Sequence, residues 1–240
     1  MYATSSGCFN TAVGACGLFS NTTGCLNTAV GFESLKNNTT GNYNTAIGNR
    51  ALCCNTTGTQ NTASGSYALM KTSSGNYNTA FGYSSSINNT TGGFNTAVGR
   101  TSLYYNTTGI ANTAIGMEAL YCNTTASYNV AVGYCALRTN TTGPDNVAVG
   151  QSALQRATTA CENTAVGTQA LCSLTTGQLN TAVGKAAMAC HTTGNRNTAV
   201  GRTALHYNTT ADDNVAIGFY SMLCNSTGAD NTASGTYSLK

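Results

Sequence analysis

Cysteine is the most reactive residue type that recurs along this chain, and its spacing predicts thiol chemistry between neighbouring copies of a short repeat. The chain has 11 cysteines, and their spacing does not match a zinc site. Cys8 and Cys25 are separated by one full period of the repeat, so we expect them to stack at the ~4.8 Å spacing of parallel strands. That spacing lies within the Cα separation of a disulfide. Cys172 and Cys190 are a second candidate pair, because they occupy adjacent positions in successive repeats.

Two interpretations of the cysteines stay open at this point. One is that at least one pair is a disulfide, with a thiol left free or bonded to another chain because 11 is an odd number. The other is that the cysteines are small buried hydrophobic residues. Neither interpretation gives a catalytic cysteine, because His191 and His206 have no matching column of acids or nucleophiles. The chain is therefore predicted not to be an enzyme and to use no cofactor.

Asn-x-Thr sequons recur at one position of the repeat, which makes N-glycosylation the second candidate chemistry. If these side chains point outward, glycans would form a row along one edge. The alternative, which we favour as the reason for the motif, is that the asparagine caps a turn and the threonine fills a second short strand. The candidate residues are Asn21, Asn38, Asn55, Asn89, Asn106, Asn123, Asn140, Asn208 and Asn225.

Charge and hydropathy exclude several classes of function. Only 7% of the residues are charged and the net charge is +3 without a basic run, so nucleic-acid binding has little support. No segment approaches the ~20 apolar residues of a membrane-spanning helix, so membrane insertion is not predicted. Asp145 is expected near Glu162, and Asp213 near Asp230. A cation or Arg196 would relieve their repulsion, but solvated acids are the commoner case and no metal site is predicted.

The element that positions all these residues is a 17-residue repeat without insertion or deletion. A fixed short period is typical of solenoids, in which each repeat packs only on its neighbours. We number the repeat from its first asparagine, which is predicted to form a hydrogen-bonded ladder between coils. These fourteen residues are Asn10, Asn27, Asn44, Asn61, Asn78, Asn95, Asn112, Asn129, Asn146, Asn163, Asn180, Asn197, Asn214 and Asn231.

Within one repeat, the pattern predicts an all-β fold, a parallel β-solenoid or β-roll with 17-residue coils. Positions 1 to 5 (Asn-Thr-Ala-Val-Gly in most copies) alternate β-branched and small residues, which is typical of a strand. Positions 3 and 5 are always Ala and Gly, which predicts close packing against another layer. Positions 6 to 11 carry a small residue and then usually leucine. That pair favours one short helical turn per coil over a bent strand.

The segment Asn129-Val130-Ala131-Val132-Gly133 resembles the head repeat of trimeric autotransporter adhesins (YadA-like heads). The full unit, as in residues 112 to 126, is also similar to repeats of phage tail-fibre and bacterial surface proteins. The resemblance implies a parallel β-roll, a location outside the cell or on the cell or virion surface, a trimer, and adhesive or fibrous roles. The chain departs from the adhesin pattern in its 17-residue period and its many cysteines.

These observations together predict a structural protein that forms an extracellular filament or fibre by stacking of coils. The alternative is an adhesin or a receptor-binding fibre shaft with a cell-surface or glycan ligand. Residues 1–240 are expected to form a single solenoid, as a segment of a longer chain or filament, because Met1 and Lys240 both interrupt a repeat. Unpaired strand edges at such ends are a template for another chain. The expected partner is therefore the chain itself, end to end and also laterally.

Overall fold

The structure is a computed structural model that describes residues 6–239, and its only regular elements there are short β-strands. The chain divides into two compact units, residues 1–125 and 126–240. Each unit is a parallel β-solenoid in which one coil corresponds to one repeat, as the sequence predicts. Among the described residues, no helix is long and apolar enough to span a membrane.

Unit 1 contains seven strands of three residues, one in each repeat. Each strand pairs in parallel with the next one in sequence, and the partners are always equivalent residues of successive repeats, as in Thr11 with Thr28. The register therefore places identical repeat positions directly above each other. The strands are β1 (Thr11–Val13), β2 (Thr28–Val30), β3 (Thr45–Ile47), β4 (Thr62–Ser64), β5 (Thr79–Phe81), β6 (Thr96–Val98) and β7 (Thr113–Ile115).

Unit 2 repeats the same arrangement with seven further strands. The register again joins equivalent positions of successive repeats, as in Ala148 with Ala165. Neighbouring strands pair in sequence order throughout the unit. The strands are β8 (Val130–Val132), β9 (Val147–Val149), β10 (Thr164–Val166), β11 (Thr181–Val183), β12 (Thr198–Val200), β13 (Val215–Ile217) and β14 (Thr232–Ser234).

The interior of each coil is thin and made of small residues. In the coil of β3, Ala46 of the strand is fully buried, as are Ala51 and Leu52 at positions 8 and 9. Side chains alternate across a strand, so Thr45 and Ile47 point outward, and Ile47 is 45% exposed. The invariant alanine therefore faces the interior, where a larger side chain has no room.

The helical turn predicted for positions 6 to 11 is wrong. Positions 7 and 9 have positive φ angles in every described coil, for example 54° at Arg50 and 50° at Leu52. Their N–H groups point to opposite neighbours, because Arg50 donates to the Phe32 carbonyl at 2.8 Å and Leu52 to the Ala68 carbonyl at 3.0 Å. A helix directs its peptide groups along its own axis, whereas these bonds run between coils. A residue other than glycine is normally disfavoured in the left-handed region by roughly 1–2 kcal/mol. The hydrogen bonds between coils offset that cost.

Two further features of the coil follow from the same close stacking. Gly48 at position 5 has a φ of 133°, and a Cβ there would lie 2.6 Å from the carbonyl oxygen of Gly65 in the next coil. Only glycine fits such a contact. The Thr pair at positions 13 and 14 forms no second strand in the described residues. Instead, Thr39 donates through both its N–H and its hydroxyl to the carbonyl of Thr56.

The interior assignment of position 3 predicts that Ala114→Leu is more damaging than Met117→Leu. Ala114 is fully buried, whereas Met117 is 37% exposed at position 6. Forcing a larger residue into the packed interior costs about 1–3 kcal/mol, and the exposed site should show little change. Thermal melts of the two variants compare the effects. Equal melting temperatures would contradict the inward orientation of the alanine.

Candidate functional site

The position-1 asparagines lie inside each unit and bond from coil to coil. The side-chain Nδ2 of Asn61 donates to Oδ1 of Asn44 at 3.2 Å, and its backbone N–H donates to the same oxygen at 3.0 Å. Oδ1 of Asn61 in turn accepts both groups of Asn78. We call this arrangement the first asparagine ladder. It runs through all seven position-1 residues of each unit.

Most position-1 asparagines also close their own coil. Nδ2 of Asn27 donates to the carbonyl of Gly41, near the end of the same repeat, at 2.8 Å. Nδ2 of Asn38, at position 12, donates to the same carbonyl at 3.0 Å. A carbonyl oxygen has two lone pairs and can accept both bonds. The two asparagines of one repeat therefore hold the start and the end of the coil together at a single acceptor.

The sequon asparagines at position 12 form a second asparagine ladder. Asn38 donates to Oδ1 of Asn21 at 2.8 Å, and Asn55 donates to Oδ1 of Asn38 at 2.7 Å. The same contact joins Asn106 to Asn89 and Asn123 to Asn106. Eight of the nine candidates have no exposed surface: Asn21, Asn38, Asn55, Asn89, Asn106, Asn123, Asn140 and Asn208.

This placement is the reverse of the outward orientation that a row of glycans requires. The folded coil gives the buried amides no space for a sugar, and Asn225, which is partly buried, also donates to the Gly228 carbonyl at 2.8 Å. The role of position 12 as a second ladder was not predicted. The signal was present, because Asn recurs there almost as regularly as at position 1, but a sequon and a turn cap explain the same letters.

Four repeats break the second ladder with another residue at position 12: Thr72, Ala157, Leu174 and His191. His191 is fully buried, and its Nε2 lies 2.9 Å from the Gly194 carbonyl. The imidazole thus replaces the asparagine amide as the donor to position 15. Its Nδ1 is buried without a hydrogen-bond partner. Burial lowers the pKa of His191 below its ordinary value, so the ring is neutral in the folded coil.

The structure brings one of the two predicted cysteine pairs together. The Sγ atoms of Cys8 and Cys25 are 2.9 Å apart, longer than the ~2.0 Å of a disulfide bond, and no disulfide joins any two cysteines within residues 6–239. Cys172 and Cys190 do not pair in this way, because the Cys172 thiol donates to the Ala189 carbonyl at 3.4 Å.

Charged side chains pair on the surface at three repeat positions. Glu33 accepts hydrogen bonds from Lys36 and Arg50, both at 2.7 Å. These bonds lower the pKa of the Glu33 carboxyl, and the bond from Lys36 is the larger cause. Arg196 forms two 2.7 Å bonds with Asp213, so an arginine does intervene in the acidic cluster of unit 2. These groups are solvent-accessible, and such pairs add little to stability.

Two further candidate features are a cluster of metal-ligating side chains and a surface concavity. Within residues 6–239, no three His, Cys, Asp or Glu side chains are grouped to hold a metal ion. A concavity of about 250 Å³ in unit 2 is lined by Met222, Cys224, Asn225, Asn231 and Leu239. The described residues of this lining include no carboxylate side chain and no histidine.

Comparison with known proteins adds no assignment: no protein-family description matches the chain, and no curated protein matches it in sequence.

The first asparagine ladder predicts that Asn61→Ala strongly destabilises unit 1. The change removes two donated bonds and leaves the amide groups of Asn78 without their acceptor inside the coil. We expect a loss of roughly 2–4 kcal/mol, from the missing bonds and the unsatisfied buried partners. Chemical denaturation measures the loss. Asn49→Ala, at an exposed position, is the matched control, and a similar effect of both changes would contradict the role of the ladder.

The buried imidazole predicts that stability falls as the pH drops through about 6.5, the ordinary pKa of histidine. Because the folded-state pKa of His191 is lowered, the unfolded chain takes up the proton first, and the free energy of unfolding decreases with acid until the folded pKa is reached. His191→Asn places there the residue that most repeats carry at position 12, next to Asn208 in the following coil, and should remove this component. Melting temperatures between about pH 8 and pH 5 test it, with His206→Asn as the control. An unchanged pH profile in His191→Asn would refute the assignment.

Proposed function

We propose that the protein is a structural protein that builds an extracellular filament or fibre by stacking β-solenoid coils. The fold itself fits a stacked-coil, fibre-like role. The proposal is that stacking, which holds each unit together, also joins one chain to another. Its partner is therefore a second copy of the chain, end to end, and no enzymatic activity is part of the proposal.

The observation that carries the proposal is the complementarity of the two faces of a coil. Toward the next coil, position 2 donates its N–H to the carbonyl of position 1, as Thr45 does to Asn61 at 2.8 Å. Toward the previous coil, position 5 donates to the carbonyl of position 4, as Gly48 does to Val30 at 2.8 Å. The donors and acceptors on one face of a coil therefore match those on the opposite face of another coil. Unpaired strand edges of this kind are a template for further strands.

The location and the lateral partners are supported by other observations. The resemblance of the repeat to surface and tail-fibre repeats supports a place outside the cell or on a virion. Lateral association, including a trimer, is supported by the outward-facing position 4 of unit 1, where Val13, Ile47, Phe81 and Ile115 are exposed. Contiguous apolar surface is typical of protein contacts.

An adhesin or receptor-binding fibre shaft is the second candidate. One observation favours it: in unit 1 the outward position 17 carries exposed aromatic rings at Phe9, Tyr43, Tyr77 and Phe94, with Tyr77 and Phe94 stacked at 4.9 Å between ring centroids. Flat exposed rings suit contact with a cell-surface or glycan ligand. Electron microscopy separates the two: long uniform fibres support the structural role, and short spikes support the adhesin.

Filament formation is tested by sedimentation and electron microscopy of the 240-residue chain over a wide concentration range. By the pattern of the other coils, the N–H of Thr232 in β14 points to where a following coil would bind. Thr232→Pro removes that donor and places the ring against an incoming coil. We expect the parent chain to grow into fibres and Thr232→Pro to stop growth.

The matched control is Thr232→Val, which keeps the N–H and places there the residue that Val130, Val147 and Val215 already supply at position 2. It should polymerise like the parent. A stable compact monomer of the parent at every concentration would overturn the proposal, and so would assembly that Thr232→Pro leaves unchanged, since such assembly would not use the end-to-end contact between coils.

A further inference from the structure

Two cysteines in successive coils are placed for chemistry that the structural role does not use. Cys8 and Cys25 both occupy position 16, which the register of β1 and β2 stacks directly. Their Sγ atoms are 2.9 Å apart and on the surface: Cys8 is exposed and Cys25 is partly exposed. The Cα spacing of adjacent parallel strands, ~4.8 Å, is within the range that a disulfide spans. The two sulfurs can therefore bond with little movement of the coils.

The surroundings make the two thiols unequal. The backbone N–H of Cys8 donates to Sγ of Cys25 at 3.1 Å, and the thiol of Cys8 lies in hydrogen-bond contact with the same sulfur. Hydrogen bonds to a thiolate favour the charged form. The pKa of Cys25 is accordingly lowered, chiefly by the side-chain contact with Cys8, and the pKa of Cys8 is raised, chiefly by the same contact. With the backbone N–H of Cys8 directed at its sulfur, Cys25 is the better placed of the two residues to carry the thiolate.

The other neighbouring thiols lack this combination. Cys53 and Cys54 are also in hydrogen-bond contact, and the bond from Cys53 lowers the pKa of Cys54 to about 6. They are adjacent in sequence, however, so a bond between them would close a strained ring outside the usual disulfide geometry. Cys54 can react with a small disulfide but has no unstrained partner to complete the exchange.

We propose that Cys8 and Cys25 form a thiol–disulfide exchange site for small-molecule disulfides, in which Cys25 attacks and Cys8 resolves, leaving a covalent link between two coils of unit 1. The link would join the segment before β1 to the segment before β2. It would hold these coils together when hydrogen bonds between them open.

The chemistry balances in two displacements. The Cys25 thiolate attacks one sulfur of a small disulfide, so a mixed disulfide forms and one small thiolate leaves. Cys8 then loses its proton to water, its sulfur attacks Sγ of Cys25, and the second small thiolate leaves. Two protein thiols are oxidised to one disulfide, and one small disulfide is reduced to two small thiols.

The test uses oxidised glutathione on the reduced 240-residue chain, with acid quenching, blocking of the remaining thiols and peptide mass spectrometry. Chymotryptic cleavage after Phe9 and Phe19 separates Cys8, Cys16 and Cys25, so a linked peptide identifies the pair directly. In the parent chain we expect the Cys8–Cys25 link, without stable glutathione on either residue. Cys8→Ser should trap glutathione on Cys25, and Cys25→Ser should leave Cys8 largely unmodified.

Circular dichroism of each variant checks that the coils still form, and Cys172→Ser is the control that should leave the Cys8–Cys25 link intact. After oxidation, the peptides around β1 and β2 should resist proteolysis longer than in the reduced chain, and Cys8→Ser should lose that protection. Glutathione that stays on Cys25 in the parent chain would overturn the assigned roles. So would equal rates of modification of the single remaining cysteine of the pair in the two variants, Cys8 in Cys25→Ser and Cys25 in Cys8→Ser.

Discussion

The fold depends on a supply of hydrogen bonds for polar groups in a coil too small to have a conventional core. One coil buries little besides alanine and leucine, as in Ala46, Ala51 and Leu52. Most of the enclosed backbone must therefore bond to the next coil, and the cost of leaving a buried group unpaired is high. The two asparagine ladders solve this by placing donors and acceptors inside the coil itself. In an unbroken stretch, as at Asn44 and Asn61, each amide bonds to a neighbouring asparagine and to a carbonyl of its own coil.

This constraint explains why the repeat tolerates change so unevenly. Position 6 takes residues as different as Phe32, Asn49 and Lys185 because it faces solvent. Positions 1, 3 and 5 never change, since each is fixed by a contact with the identical residue of an adjacent coil. Where the second ladder is broken, at His191, the replacement still donates to the position-15 carbonyl. At Ala157 and Leu174 the replacement side chains donate no hydrogen bond, so position 12 tolerates the loss of a donor that position 1 never shows.

The sequence predicted the architecture well, because periodicity alone determines which residues stack. The strands, their parallel register and the contact of Cys8 with Cys25 all follow from the fixed spacing of the repeat. The path of positions 6 to 11 could not be predicted in the same way. Alanine and leucine favour a helix in isolation, and only the bonds between coils force Leu52 and its equivalents to positive φ. The inward orientation of position 12 was not predicted for a related reason, because it depends on the path of positions 6 to 11.

The side-chain ladders have a direction. In both units the Nδ2 of each position-1 asparagine donates toward the preceding coil, as Asn44 does to Asn27 and Asn214 does to Asn197. The second ladder has the same sense, from Asn38 to Asn21. Aligned amides in a hydrogen-bonded row polarise one another, and their dipoles add as peptide dipoles do along a helix. Each unit thus has a dipole along its stack of coils. The dipole comes from uncharged amide side chains and does not depend on the few charged groups on the surface.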